Sequence, residues 1–314
     1  MPNDRDDVPH VARGNQTRPR ERADSTGAEG ALVLLGGACT PRGHALRSFL
    51  ELSGALAGAP IVVLTAASAD PEESAWYWAG AFKSIGAGNV TIPMFDRADE
   101  MRDRVIAHTI DQAGGVFLGG GDQVRLVGAL SGTRTASAIV SLFRRGGTVC
   151  GTSAGAAALT ELTMSGGEVD EEGSLVEQYI GPGLGLLGFG AIVDTHFSER
   201  RRLQRLFLVI ASNPGLFGLG IDEDTALVVR GGIGEVRGAG AVTFVDGRDT
   251  VRFDNAAELE KGRQLTLSHL RVGIVGTHYR LHLGARELLD LVVLSRGDQG
   301  VRSQSIATSR DANS

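Results

Sequence analysis

A serine set between two glycines, at the junction of a strand-like and a helix-like stretch, constrains this chain most: Gly151-Thr152-Ser153-Ala154-Gly155. Thr148-Val149-Cys150 precede it as an apolar run, and Ala156 to Leu159 follow as small, helix-forming residues. A strand-to-helix turn of this kind leaves its flanking positions no room for side chains and lifts the serine oxygen above a sheet, as in a nucleophile elbow. The next N–H, on Ala154, then stands at a helix N-terminus, where a developing oxyanion can be held. The same pentapeptide also suits a Gly/Ala-rich turn capped by Ser or Thr, so the surrounding chain must decide.

Around the elbow, short apolar runs bounded by glycine alternate with helical patterns. Strands are expected at 31–35, 61–64, 90–95 and 115–118, ahead of the elbow strand. Helices are expected at 41–54, 72–85, 99–112, from about Asp122, and at 134–145. That alternation predicts an α/β fold with a mostly parallel sheet sandwiched between helices. Ligands in such sheets sit at the carboxyl ends of the strands. Gly36-Gly37, Gly119-Gly120-Gly121 and the elbow should therefore converge on one crevice. Residues 161–182 are acidic and Gly-rich and read as a mobile loop or flap. A strand at 189–193 and a helix at 198–212 come next. Short, partly antiparallel additions follow at 217–221, 226–229, 235–237 and 242–245, with turns at Gly231-Gly232 and Asp246-Gly247. Polar segments 1–29 and 295–314 read as disordered tails around one catalytic domain, 30–294.

The bulk properties exclude several classes. A formal net charge of −6 argues against non-specific nucleic-acid binding. Two cysteines, Cys39 and Cys150, cannot make a disulfide framework, and no Cys or His spacing supports a metal; both read as small core residues. No apolar run approaches the roughly 18 residues of a membrane span, and the N-terminus has no secretory apolar region. A reducing, cytoplasmic setting is the expectation.

A nucleophilic serine needs a base, and the base an orienting acid. Of seven histidines, His10 lies in the tail, and His44 and His108 fall in expected helices. His196, His269, His278 and His282 remain. His196 sits in Asp194-Thr195-His196-Phe197-Ser198, directly after an expected strand, and so on the same rim as the elbow. Ser198 reads as the N-cap of the next helix. On that helix Arg200 and Arg202 would flank the apolar stripe Leu203, Leu206, Phe207 and Ile210, whereas Arg201 and Arg205 would point away. The acid is one of Asp222, Glu223 or Asp224, which cannot all face one crevice if extended. An α/β-hydrolase order, serine then acid then histidine, would instead use His269, His278 or His282 and give an esterase. A non-enzymatic binding protein keeping the crevice is a third reading, although no Gly-x-Gly-x-x-Gly fingerprint follows a strand.

Four blocks in order, Leu118-Gly119-Gly120-Gly121-Asp122-Gln123, Gly151 to Ala156, Asp194-Thr195-His196-Phe197 with Arg200, Arg202 and Arg205, and Gly220 to Leu227, resemble the cyanophycinases. These are serine peptidases of family S51, related to dipeptidase E, with a fold similar to the class I glutamine amidotransferases. The resemblance spans roughly residues 31–280. It implies no metal or organic cofactor, a peptide substrate, a homodimer, and release of β-aspartyl-arginine dipeptides from cyanophycin (poly-aspartate with arginine on each side-chain carboxyl). It also implies Ser153 as nucleophile, His196 as base and Glu223 as third member. Gly120, Gly121 and Ala154 match the oxyanion region. Gln123, Asp194, Arg200, Arg202 and Arg205 match substrate-lining positions, and Thr195 occupies one where the family often has glutamine. Cys39-Thr40-Pro41 likewise replaces usually acidic residues. Both departures lie near the expected pocket, so a related β-aspartyl or acidic peptide is the alternative substrate.

Overall fold

Helices and strands begin where local chemistry satisfies the backbone. In the computed structural model, which describes residues 29–41, 43–166, 179–252 and 266–289, the chain opens with β1 (Ala31–Leu35) and α1 (His44–Leu52). Next come β2 (Ile61–Leu64), α2 (Pro71–Ile85), β3 (Val90–Thr91), α3 (Glu100–Asp111) and β4 (Gly115–Leu118). Asp70 starts α2 by accepting the Glu73 N–H at 2.9 Å, with Pro71 at the first helical position. Asp99 starts α3 by accepting from Arg102 N–H at 2.9 Å. After β4, Asp122 accepts from the N–H groups of Val124 and Arg125 at 2.7 and 3.0 Å to begin α4 (Gln123–Leu130). Then follow α5 (Arg134–Arg144), β5 (Thr148–Thr152) and the short α6 (Ala154–Ala158).

The second half comprises β6 (Leu162–Ser165), β7 (Tyr179–Pro182), β8 (Ala191–Thr195), α7 (Leu203–Ser212), β9 (Phe217–Ile221), β10 (Thr225–Arg230) and β11 (Ile233–Gly238). It continues with β12 (Val242–Asp246), β13 (Val251–Arg252), β14 (Leu267–Ser268), β15 (Arg271–Val275), β16 (Arg280–His282) and β17 (Glu287–Leu289). The main sheet has nine strands in the order β17-β16-β11-β10-β1-β5-β4-β2-β3. The run β1-β5-β4-β2-β3 is parallel, and the strands beyond β1 are antiparallel additions. This is the expected α/β architecture.

One face of the main sheet, through Val33, Leu35 and Phe117, packs on Phe49 of α1 and on Trp78 and Phe82 of α2. The other, through Leu32, Leu34, Val62 and Leu64, packs against α3 to α6 and against a second sheet, β15-β12-β9-β8. The alternation of faces along β1 and β2 is the period-two geometry of a strand buried on both sides. Leu206, Val209 and Ile210 of α7 cover the far side of the second sheet. The two sheets are also tied by charge. Arg286, four residues past β16, reaches Asp246 at the end of β12 at 2.7 Å, while Arg248 and Arg271 reach the same buried carboxylate at 2.8 and 3.0 Å.

Three expectations need correction. The strand expected over 90–95 ends at Thr91. Residues 161–182 are not simply a loop, because β6 and β7 pair as an antiparallel ladder. The helix expected from Ser198 begins only at Leu203, with 198–202 in turns. The expected tails and the acidic residues Glu168 to Glu172 lie outside the described residues.

Candidate active site

The elbow forms as its glycines require. A Cβ at Gly151 would lie 2.3 Å from the Gly155 carbonyl oxygen, and one at Gly155 would lie 2.3 Å from that of Leu118. Between them Ser153 is held at φ 52° and ψ −118°, a region that costs a side-chain-bearing residue about 1–3 kcal/mol. Its Oγ lies 2.9 Å from His196 Nε2. His196 Nδ1 lies 2.6 Å from Glu223 Oε1. A carboxylate can only accept, so Nδ1 carries the proton and Nε2 is left to accept from the serine hydroxyl.

His196 follows β8, so it stands on the second sheet rather than on the elbow's own sheet, as the sequence had suggested. What joins the two is the end of β1. The N–H groups of Ser153, His196 and Asp224 donate to the successive carbonyls of Leu35, Gly36 and Gly37 at 3.0, 2.8 and 3.0 Å. Gly37, at φ +98°, lies so close to the imidazole that a Cβ there would be 2.3 Å from both Cε1 and Nε2. These backbone acceptors were not visible as site residues in the sequence; the glycine pair after a buried strand was their only signal.

The three consecutive acids separate. Glu223 takes the imidazole. Asp222 turns to Ser198, accepting from its Oγ at 2.6 Å and its N–H at 3.1 Å. Asp224 accepts from the N–H and the hydroxyl of Thr40, both at 3.2 Å. The later histidines lie elsewhere: His282 Nδ1 accepts from Ala285 N–H at 3.1 Å, His269 meets Ser268, and His278 is held on β11 through its N–H and the Val236 carbonyl.

Beside Ser153 is a cavity of about 100 Å³ lined by residues that include Gly121, Gln123, Ala154, Met164, Asp194, Thr195, Arg200, Arg202 and Arg205. Asp194 is 2% exposed and organises this wall. Arg202 donates to it at 3.1 Å and to the Thr195 carbonyl at 2.8 Å, and Arg205 Nε donates at 2.9 Å. Arg205 was expected to point away. The buried stripe of α7 is Leu206, Val209 and Ile210, with Leu203 39% exposed, so its inward face is turned towards Arg205 relative to the expected stripe. Burial lowers the Arg202 guanidinium pKa below its ordinary value, with Asp194 opposing that shift. Arg200 is exposed at the cavity and makes no ion pair among the described residues. The Gln123 amide donates to the Met164 carbonyl and anchors β6 beside the site.

The Gly120 and Ala154 N–H groups have no backbone or side-chain acceptor among the described residues, and both flank Ser153. Gly121, at φ +137°, packs on the Ala67 carbonyl. Burial pushes the Cys39 thiol up to about 12, with Asp224 adding to the effect, and raises that of the fully buried Cys150. Both cysteines are therefore protonated core residues and poor nucleophiles.

A serine, a histidine and a carboxylate in one hydrogen-bonded line, on an α/β sheet covered on both faces, form the arrangement used by serine hydrolases. The chain belongs to peptidase family S51, whose profile matches residues 32–236. It is 34% identical over 298 residues to the cyanophycinase of Trichormus variabilis, covering 91% of this chain and 98% of that one. To the cyanophycinase of Synechococcus elongatus it is 36% identical over 257 residues, covering 80% and 78%. A peptidase from an acI-B1 actinobacterium shares the fold with a TM-score of 0.53 at 20% identity, covering 78% of this chain and 97% of that one. The protein is a serine-type peptidase.

Proposed function

We propose that the protein hydrolyses cyanophycin, releasing β-aspartyl-arginine units, with Ser153 as nucleophile, His196 as general base and Glu223 as the acid that orients it. The observation that carries this reading is the continuous line of 2.9 and 2.6 Å contacts from Ser153 through His196 to Glu223. Ser153 Oγ attacks the scissile carbonyl as its proton passes to His196 Nε2. Glu223 keeps the proton on Nδ1 and stabilises the imidazolium that forms. The new oxyanion is met by the Ala154 N–H at the head of α6 and the Gly120 N–H after β4, where one donor is typically worth about 10²–10³ in rate. His196 then protonates the leaving amine, and water enters along the same line to release the acyl group.

The wall of the cavity suits a substrate with free carboxylates. Both oxygens of Asp194 accept from arginines, so this residue holds guanidinium groups in place rather than binding a substrate cation. Arg200 is the group we assign to a substrate carboxylate, as planar bidentate recognition favours arginine. Cytoplasmic location and a homodimer complete the proposal; sedimentation of the purified protein tests the second. The deciding assay is incubation with cyanophycin granules and mass analysis of the soluble products. Absence of the β-aspartyl-arginine dipeptide, with another acidic peptide turned over, would transfer the activity to that peptide.

A further inference from the structure

We propose that Asp222 and Asp224, the two acids on either side of Glu223, are positioning residues that hold the backbone around the His196 imidazole. The proposal rests on the Ser153–His196 reading given above.

His196 sits in a backbone conformation that its own side chain does not favour, with φ at +49°. Such a residue keeps its geometry only where its neighbours over-determine it. Two segments border the imidazole. One is the turn that leaves it, 197–202. The other is the loop after β1, in which Gly37 lies against the ring.

Asp222 holds the first. Its Oδ1 accepts both donors of Ser198, two residues past the imidazole, and its Oδ2 accepts the Ala241 N–H at 3.1 Å. Asp224 holds the second. Its N–H donates to the Gly37 carbonyl, and its carboxylate accepts both donors of Thr40. Gly43 closes over that carboxylate so tightly that a Cβ there would be 2.4 Å from Oδ1. Asp224 itself has φ at +46°, another conformation maintained by what surrounds it. Three adjacent acids thus act on one ring: the middle one at Nδ1, its neighbours at the turn that follows the ring and at the loop that packs on it. Loss of either flanking contact loosens the ring without touching substrate, so turnover should fall while affinity stays.

Ser198→Ala and Thr40→Val each delete one hydroxyl donor, and Ser198→Thr and Thr40→Ser restore it. We expect kcat on cyanophycin to drop about tenfold in each deletion, with KM changed less than twofold, and to recover in the conservative variants. The rate of Ser153 labelling by a fluorophosphonate should fall in parallel, since it needs the base but not the substrate. The downfield proton resonance of His196 Nδ1–H should broaden in the deletions. Asp222→Asn and Asp224→Asn keep the side-chain volume and give the same readout should a hydroxyl deletion lower the melting temperature. Ser153→Ala retaining turnover would overturn the nucleophile reading and this proposal together. With Ser153→Ala inactive, unchanged kcat and labelling in the deletions overturn the positioning role alone.

Discussion

Replacing Gly37 by alanine should disable the site from a position that carries no chemistry. The new Cβ would stand 2.3 Å from His196 Cε1 and Nε2, where ordinary contact begins near 3.4 Å. Ring and loop must therefore part by about 1 Å, the scale at which misplacing a reacting group costs about 10²-fold in rate. The Ser153–His196 contact, now 2.9 Å, has no slack to absorb such a shift. Gly37 also has φ at +98°, so backbone strain must be separated from overlap. Gly58 provides the control: its φ is +94°, yet a Cβ there meets nothing within 4 Å. Gly58→Ala should lower stability by about 1–2 kcal/mol and leave kcat unchanged. Gly37→Ala should bear a similar strain and in addition lose about a hundredfold in kcat and in fluorophosphonate labelling. Activity within threefold of the parent in folded Gly37→Ala would refute the reasoning.

Glu223→Gln should keep the shape of the line but lose the tautomer control, lowering kcat by about 10³–10⁴-fold with KM nearly constant; steady-state kinetics on cyanophycin check it. Asp194→Ala would remove the buried carboxylate that Arg202 and Arg205 share, so urea denaturation should show a loss of about 3–5 kcal/mol. For Asp246, burial would raise the carboxyl pKa, but hydrogen bonds from Arg248 and Arg286 outweigh it and hold the group down to about 2. A pKa lowered on folding contributes stability that is full above the unfolded value near 3.8 and is lost as pH falls towards 2. At about 1.4 kcal/mol per pH unit, the contribution is roughly 2 kcal/mol. Melting temperatures followed from pH 5 to pH 2 should fall for the parent across that window and much less for Asp246→Asn.

Much of this architecture was legible in the chain because its signals are local. β1, β2 and β4 fall on the expected residues because each is a short buried run stopped by glycine, proline or a polar turn. The elbow was readable for the same reason, since only glycine fits at 151 and 155. Other features depend on partners distant in sequence. The start of α7 moved because Arg201 has φ +51° and Ser198 gives its hydroxyl to Asp222 instead of capping the turn, features that helix periodicity does not register. Arg205 reaches a carboxylate eleven residues earlier because Val209 rather than Leu203 faces the core, a choice that apolar periodicity alone left open. Division of the strands into two sheets was equally hidden, because pairing of β9 with β8 and β12 rather than with β10 is set by the whole register. Which of Asp222, Glu223 and Asp224 meets the histidine followed from the same non-local contacts.

The ladder of carbonyls at residues 35, 36 and 37 makes the machinery all-or-none. Groups that come from chain positions spread over some seventy residues take their coordinates from a single ruler, and that ruler is the buried end of the central strand of the nine-stranded sheet. Heat or denaturant should therefore extinguish turnover only as the core itself opens. Inactivation should coincide with global melting, and amide exchange at 153, 196 and 224 should accelerate together.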